Sequence, residues 1–199
     1  MRLLVALAFV PSIAQADLAK GAHVGANQIG IEGDGDARGV DGPFKPALVL
    51  GMTIRKSLTP TFSLQLEGNV EQKRAVMRDC AVNPCMDVAD ISMWYFAVPV
   101  LLRFDLLPGA TKFHLDAGPE LVLSLGGGQT DTATEDFQSF DDKLGNVGLV
   151  LGVGLEVATG PGSITFDLRY KRWFAPVYDG PDKLQITHQI WVVTGYVFP

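Results

Sequence analysis

Phe62-Ser-Leu-Gln-Leu-Glu-Gly-Asn-Val-Glu71 sets Phe62, Leu64, Leu66 and Val70 on one side of an extended chain and Ser63, Gln65, Glu67, Asn69 and Glu71 on the other. A repeat of two marks a β-strand, because successive side chains leave a pleated backbone on opposite faces. One face of this strand is apolar and the other is polar and charged.

The same alternation returns on both sides of it. From Met93 to Leu106, residues Trp94, Phe96, Val98, Val100, Leu102, Phe104 and Leu106 share a face, while Arg103 and Asp105 take the other. Phe113, Leu115, Ala117, Leu121 and Leu123 oppose His114, Asp116, Glu120 and Ser124. Val147, Leu149, Leu151, Val153 and Leu155 oppose Gly148, Val150, Gly152, Gly154 and Glu156. From Ile164, the row Phe166, Leu168 and Tyr170 opposes Thr165, Asp167, Arg169 and Lys171. The stretches His23 to Ile31, Phe44 to Lys56 and Leu184 to Phe198 bring the strands to eight, and helix periodicity appears nowhere at comparable length. The chain reads as all-β.

Connections alternate in length. Short turns fall at Ser57-Leu-Thr-Pro60, Leu107-Pro-Gly-Ala110 and Ala158-Thr-Gly-Pro-Gly162, each with the proline or glycine a tight reversal needs. Longer loops span Glu32 to Gly42, Met77 to Ile91, Gly126 to Lys143 and Tyr178 to Lys183. Short turns at one end and long loops at the other are the pattern of an outer-membrane barrel, with turns in the periplasm and loops outside.

The N-terminus fits export. Met1-Arg2, the apolar run Leu3 to Val10 and Ala14-Gln15-Ala16 follow the order of a charged region, a hydrophobic segment and a small-x-small cleavage site. Residues 1–16 therefore read as a signal peptide and 17–199 as one barrel domain. Hydrophobic residues make up 47% of the chain, yet no run approaches the length of about 20 that a membrane helix needs, so insertion has to be by strands. A net charge of −6 excludes a nucleic-acid footprint. The two cysteines, Cys80 and Cys85, flank Asn83-Pro84 and suit a small disulfide-closed loop in an oxidising compartment.

Three features turn the apolar face toward lipid. An eight-strand interior is just wide enough to be filled by side chains, and Gly118, Gly148, Gly152 and Gly154 on the polar face leave room for inward charges. Phe62, Phe104, Phe113, Phe166, Tyr196 and Phe198 mark one rim, and Trp94, Trp173, Phe174 and Tyr178 the other, as two aromatic girdles. Turning the Ile164 strand over would put Arg169 and Lys171 in hydrocarbon at about 2–4 kcal/mol each. The fold expected is an eight-stranded antiparallel up-and-down transmembrane β-barrel.

Lys45-Pro-Ala-Leu-Val-Leu-Gly51, Phe62-Ser-Leu-Gln-Leu-Glu67, Tyr95-Phe-Ala-Val-Pro-Val-Leu-Leu102, Leu115-Asp-Ala-Gly-Pro-Glu120, Gly148-Leu-Val-Leu-Gly-Val-Gly154 and Asp167-Leu-Arg-Tyr170 together resemble the PorT-like, or outer membrane protein β-barrel domain, group of eight-stranded barrels. Thr194-Gly-Tyr-Val-Phe198 is similar to the aromatic-x-aromatic signal read by the insertion machinery, with Gly195, Tyr196 and Phe198 as its key positions. The resemblance implies an integral outer-membrane protein, with secretion support among the roles of some relatives.

The inward charges are Arg55, Glu67, Glu71, Arg103, Asp105, Asp116, Glu120, Glu156, Asp167, Arg169 and Lys171. Both signs are present in similar numbers, which suits a salt-bridged core plugging the barrel. Asp34, Asp36 and Asp41 make the first loop acidic, without the full spacing of a calcium loop. Asp131, Glu135, Asp136, Asp141 and Asp142 do the same in the third loop, which reads first as a hydrated surface loop and second as a contact to the divalent cations of a lipopolysaccharide surface. His114 reads as part of the internal network with Asp116 and Glu120, His188 falls on the lipid-facing row, and no histidine has a serine at hydrolytic spacing. No cofactor or metal site is assigned. The expected protein is non-enzymatic and contacts outer-membrane lipids and lipopolysaccharide. A small pore and a lipid-modifying enzyme are the alternatives.

Overall fold

All eight alternating segments are strands in the computed structural model, which describes residues 18–33, 45–79, 86–106, 109–139, 145–174 and 184–198. In chain order they are β1 (Leu18–Gly33), β2 (Ala47–Ser57), β3 (Phe62–Asp79), β4 (Met86–Asp105), β5 (Thr111–Asp131), the three-residue β6 (Phe137–Ser139), β7 (Gly145–Thr159), β8 (Gly162–Trp173) and β9 (Leu184–Phe198). Among the described residues there is no helix. The signal peptide, the Cys80–Cys85 pair, Asp34, Asp36, Asp41, Asp141, Asp142 and Tyr178 lie outside the described residues.

Each long strand pairs antiparallel with its neighbour, and β9 returns to β1 through Lys20↔Phe198 and Asn27↔Trp191. The eight long strands thus close on themselves, and β6 folds back on β5 at Gly128↔Ser139 as a hairpin within the third loop. Closure leaves no open edge, so the whole ladder can sit in a medium that offers no hydrogen bonds. The two-residue turn between β7 and β8 reverses at Gly160, whose φ of +57° lies in the region glycine adopts most cheaply.

Register places like faces together: Phe62 opposite Phe104, Leu64 opposite Leu102, Leu66 opposite Val100. The apolar row points outward. Leu66 is 45% exposed and Phe166 53%, while Glu67 and Arg169 are 2% and 3% exposed inside. Phe62 and Phe104 stack with centroids 4.8 Å apart at the turn end, and Tyr196 meets Phe198 at 4.7 Å.

Strand ends differ from the sequence reading. β1 begins at Leu18 rather than His23. β3 and β4 run on through most of the expected Met77–Ile91 loop, pairing Met77 with Ala89, and β5 continues to Asp131. In these extensions the outward row becomes Gln72 and Arg74 on β3, and Ser92 and Asp90 on β4. A wall standing clear of hydrocarbon no longer needs an apolar outer face, so periodicity is blind to it. Bilayer crossing takes about 9–11 strand residues, which the apolar rows Phe62 to Val70 and Phe104 to Trp94 supply.

Trp173 is not in the outer girdle. It continues the inward row Asp167, Arg169, Lys171 of β8 and is 2% exposed, whereas its neighbour Phe174 is outside. Strand parity overrides the preference of aromatic residues for the interface. Around Trp173, toward the loop end, Ala75, Ile91, Met93, Tyr95, Ala97 and Val122 form an apolar core inside the barrel.

Candidate functional site

The interior is filled in tiers. Nearest the turns, Arg55 clasps Glu156 with both guanidinium nitrogens, at 2.6 and 3.1 Å, and Arg103 donates to the same carboxylate at 2.6 Å and to Asp105 at 2.8 Å. Bidentate guanidinium–carboxylate contacts are the strongest of the neutralising pairs available here.

In the middle tier Arg169 donates to Glu67 at 2.7 Å, and its other end lies 3.8 Å from Asp167. Gln65 and Asn69 also donate to Glu67, at 2.6 and 3.2 Å, and His23 donates to the Asn69 oxygen at 2.9 Å. Gly51 makes room here, since a Cβ on it would collide with Asn69 and His23. His114 donates through Nε2 to Asp167 at 2.8 Å, and Asp116 Oδ2 is 3.6 Å from the same nitrogen.

In the upper tier Lys171 donates to Glu71 at 3.0 Å and to Glu120. Its ammonium stands 3.2 Å over the Trp191 ring. Glu120 also accepts from the Trp173 indole at 3.3 Å. Lys73 lies 3.6 Å from Glu71 and 3.0 Å over the Trp173 ring, so the apolar core at the loop end begins with a cation–π contact.

Strand order gives these contacts their geometry. Going round the ring as β1, β2, β3, β4, β5, β7, β8, β9, the strands β2 and β7 are four places apart, as are β3 and β8. Arg55–Glu156, Glu67–Arg169 and Glu71–Lys171 therefore cross the full diameter at three heights. What remains beside the middle tier is a cavity of about 20 Å³ lined by His23, Gln65, Glu67, Arg103, Asp167 and Arg169. That is room for one or two waters.

All eleven charges that the sequence placed inward line this interior, with Arg55 and Asp105 half-buried and the rest buried. Glu120, read beside His114, instead serves Lys171 and Trp173 in the upper tier. Sequence reasoning missed Lys73, His23, Tyr95, Trp191 and the buried Gln189, whose side-chain oxygen accepts from the Trp191 indole at 3.2 Å. Lys73 could have been found by carrying the Glu67, Asn69, Glu71 row one step further. His188 is exposed on the outer surface, as read.

In the third loop, Asp131 accepts from the backbone amides of Ala133 and Thr134 at 2.8 and 3.0 Å. Those amides hold its carboxyl below the ordinary aspartate range. Asp131 thus caps its own turn, next to Glu135 at φ +60°.

Residues 13–178 match the family described as Outer membrane protein beta-barrel domain. The match is general and does not single out a PorT-like group. No curated protein matches the chain in sequence. Among solved structures, OprG from Pseudomonas aeruginosa is 13% identical with a TM-score of 0.57, covering 91% of this chain and 94% of its own. A major outer membrane protein from Thermus thermophilus is 14% identical with a TM-score of 0.57, covering 92% and 99%. Neisserial surface protein A is 9% identical with a TM-score of 0.51, covering 91% and 96%. At such identities the likeness is one of fold.

Proposed function

Since this chain belongs to the outer membrane protein beta-barrel domain family and is an outer-membrane barrel, we propose that it works as a closed, non-enzymatic cylinder that mounts its long loops rigidly at the cell surface. The observation that carries this reading is the set of three ion pairs crossing the lumen between opposed strands, Arg55–Glu156, Glu67–Arg169 and Glu71–Lys171. A solute would have to break buried charge pairs at every level, each worth several kcal/mol to separate without replacement. The upper tier seals onto the apolar core around Trp173, so the lumen is closed to ions and to apolar solutes alike.

β3, β4 and β5 extend the wall past the apolar belt, and the β5–β6 hairpin stands on it with Asp131, Glu135 and Asp136. In this reading the loop end faces outward, its acidic loops meet the cations of lipopolysaccharide, and Gly195, Tyr196 and Phe198 on β9 serve the insertion machinery. The role served is surface interaction, envelope integrity or the secretion support of PorT-like barrels.

Planar-bilayer recording of the purified, folded protein tests the closed lumen. The expected trace stays at the lipid baseline at both polarities. Reproducible unit steps from the wild-type chain would replace the closed mount with a pore.

A further inference from the structure

His114 on β5, Gly154 on β7 and Asp167 on β8 stand in one row across three adjacent strands, and Asp116, Gly152 and Arg169 form the next. The central strand contributes no side chain to either row. A Cβ on Gly154 would collide with His114 Nε2 and lie 2.7 Å from Asp167 Oδ1, and one on Gly152 would lie 3.4 Å from Asp116. The two glycines therefore open a recess over β7 in which donors from β5 and β8 converge: one donor atom each of His114, Asp116 and Asp167 lie within 4.8 Å of one another, with His114 Nε2 facing Asp116 Oδ2 and Asp167 Oδ1.

Two features of this recess point to a cation. Asp116 is 2% exposed, and neither of its carboxylate oxygens has a hydrogen-bond partner; His114 Nδ1 also has none. A buried, unbonded carboxylate is among the most costly groups a protein can hold. The charge of the tier is also uncompensated. Counting the tier with the one below it, whose Arg103 stands opposite Asp116, Glu67, Asp105, Asp116, Glu156 and Asp167 bring five negative charges against Arg55, Arg103 and Arg169, three minus five leaving −2 with the histidines neutral.

We propose that His114, Asp116 and Asp167 bind one divalent transition-metal ion of the Zn²⁺ class, which completes the plug. An ion with bonds of about 2.1 Å holds its donors about 3.0 Å apart at right angles and about 3.4 Å apart in a tetrahedron. The observed 2.8 and 3.6 Å from His114 Nε2 to the two carboxylates bracket that range, and the two carboxylates, within 4.8 Å of each other, draw together toward it as the ion binds. An imidazole nitrogen among the donors selects against Ca²⁺ and Mg²⁺, which take oxygen shells. On binding, the Nε2 hydrogen now shared with Asp167 is given up in favour of the Nδ1–H tautomer. The Nε2 lone pair then goes to the ion, with Arg169 holding Asp167 from the other side. The ion would tie β5 to β8 across the glycine-lined strand, and this holds whether or not the lumen conducts.

The test uses the full mature chain, refolded with and without Zn²⁺ or Co²⁺ and checked for folding by its heat-dependent gel migration. The expected result is one ion per folded chain, visible d–d bands with Co²⁺, and a metal-dependent rise in unfolding temperature. Asp116→Asn removes a donor charge, and Gly154→Ala fills the recess while keeping all three donors. Each should weaken binding about 100-fold or more, beyond what loss of an outer partner costs. Cadmium NMR of the unaltered chain should report one nitrogen ligand, which decides the matter without any variant. Absence of stoichiometric metal in the folded wild type, an all-oxygen cadmium signal, or unchanged affinity in folded Asp116→Asn would overturn the site.

Discussion

Lys171→Met offers the sharpest probe of the plug. Methionine nearly matches the lysine stem in volume, so packing against Trp191 survives while the ammonium is lost. In the wild type that ammonium serves Glu71 at 3.0 Å and Glu120, and all three side chains are fully buried. In the variant two carboxylates are left facing each other, with only Lys73, 3.6 Å from Glu71, to compensate. Removing one partner of a buried ion pair costs about 3–5 kcal/mol, because the survivor keeps its desolvation penalty without its attraction. The cation–π contact with Trp191 is lost in the same step and belongs within that figure. Against a total stability of about 5–15 kcal/mol the loss is large. Urea unfolding, read as the fraction of chain keeping heat-dependent gel migration, measures it. Adding Glu120→Gln leaves Lys73 beside Glu71 with no surplus charge and should restore most of the stability. The reasoning fails if Lys171→Met loses under about 1 kcal/mol, below the range set by its burial, or if the two substitutions add without coupling.

Trp173→Ala should cost about 3–5 kcal/mol by emptying the inner apolar core, whereas Phe174→Ala, on the outer surface, should stay within about 0.5 kcal/mol; the pair separates an inward from a girdle position by the same unfolding assay. Leu66→Arg should destabilise by about 2–4 kcal/mol in bilayers, and a neutral result would place that residue away from lipid. The Asp131 carboxyl, held low by the amides of Ala133 and Thr134, should stay ionised below the usual aspartate value. Its capping of the turn is then fully present above the unfolded-state pKa of about 3.9 and is lost as pH falls through the folded-state value, which carboxyl NMR titration would follow. Cys80 and Cys85 should resist alkylation until reduced, and thiols reactive in the native protein would remove the proposed loop disulfide.

The barrel is legible because each wall strand separates lipid from a polar lumen, which stamps a period of two on the sequence. The same parity delivers the inward charges one by one, from Arg55 on β2 to Lys171 on β8. It fails where the physical contrast disappears. Above the belt the outer face turns polar at Gln72 and Arg74, so the alternation of β3 stops at Glu71 and does not reach Lys73. Trp173 departs from expectation for a different reason: the general preference of aromatic rings for the membrane interface yields to the parity of its own strand. Which charges pair is not readable at all. Glu67 meets Arg169 only because β3 and β8 are opposed in the closed ring and staggered by its shear, and neither quantity is written in either strand alone.

The ionic interior also explains how this chain specifies one register. Slipping a barrel strand by one residue turns every side chain to the opposite face. Were the inner row merely small or apolar, a slipped β8 would place Thr165 and its successors against lipid at little cost. With Asp167, Arg169 and Lys171 on that row, the slip exposes three charges to hydrocarbon, the two cations alone costing about 2–4 kcal/mol each near the midplane. It also strands Glu67, Glu71 and Glu120 inside without their partners. Buried ion pairs add little net stability over well-packed apolar groups, so the lumen of this barrel is better understood as a device that penalises wrong registers than as a source of strength.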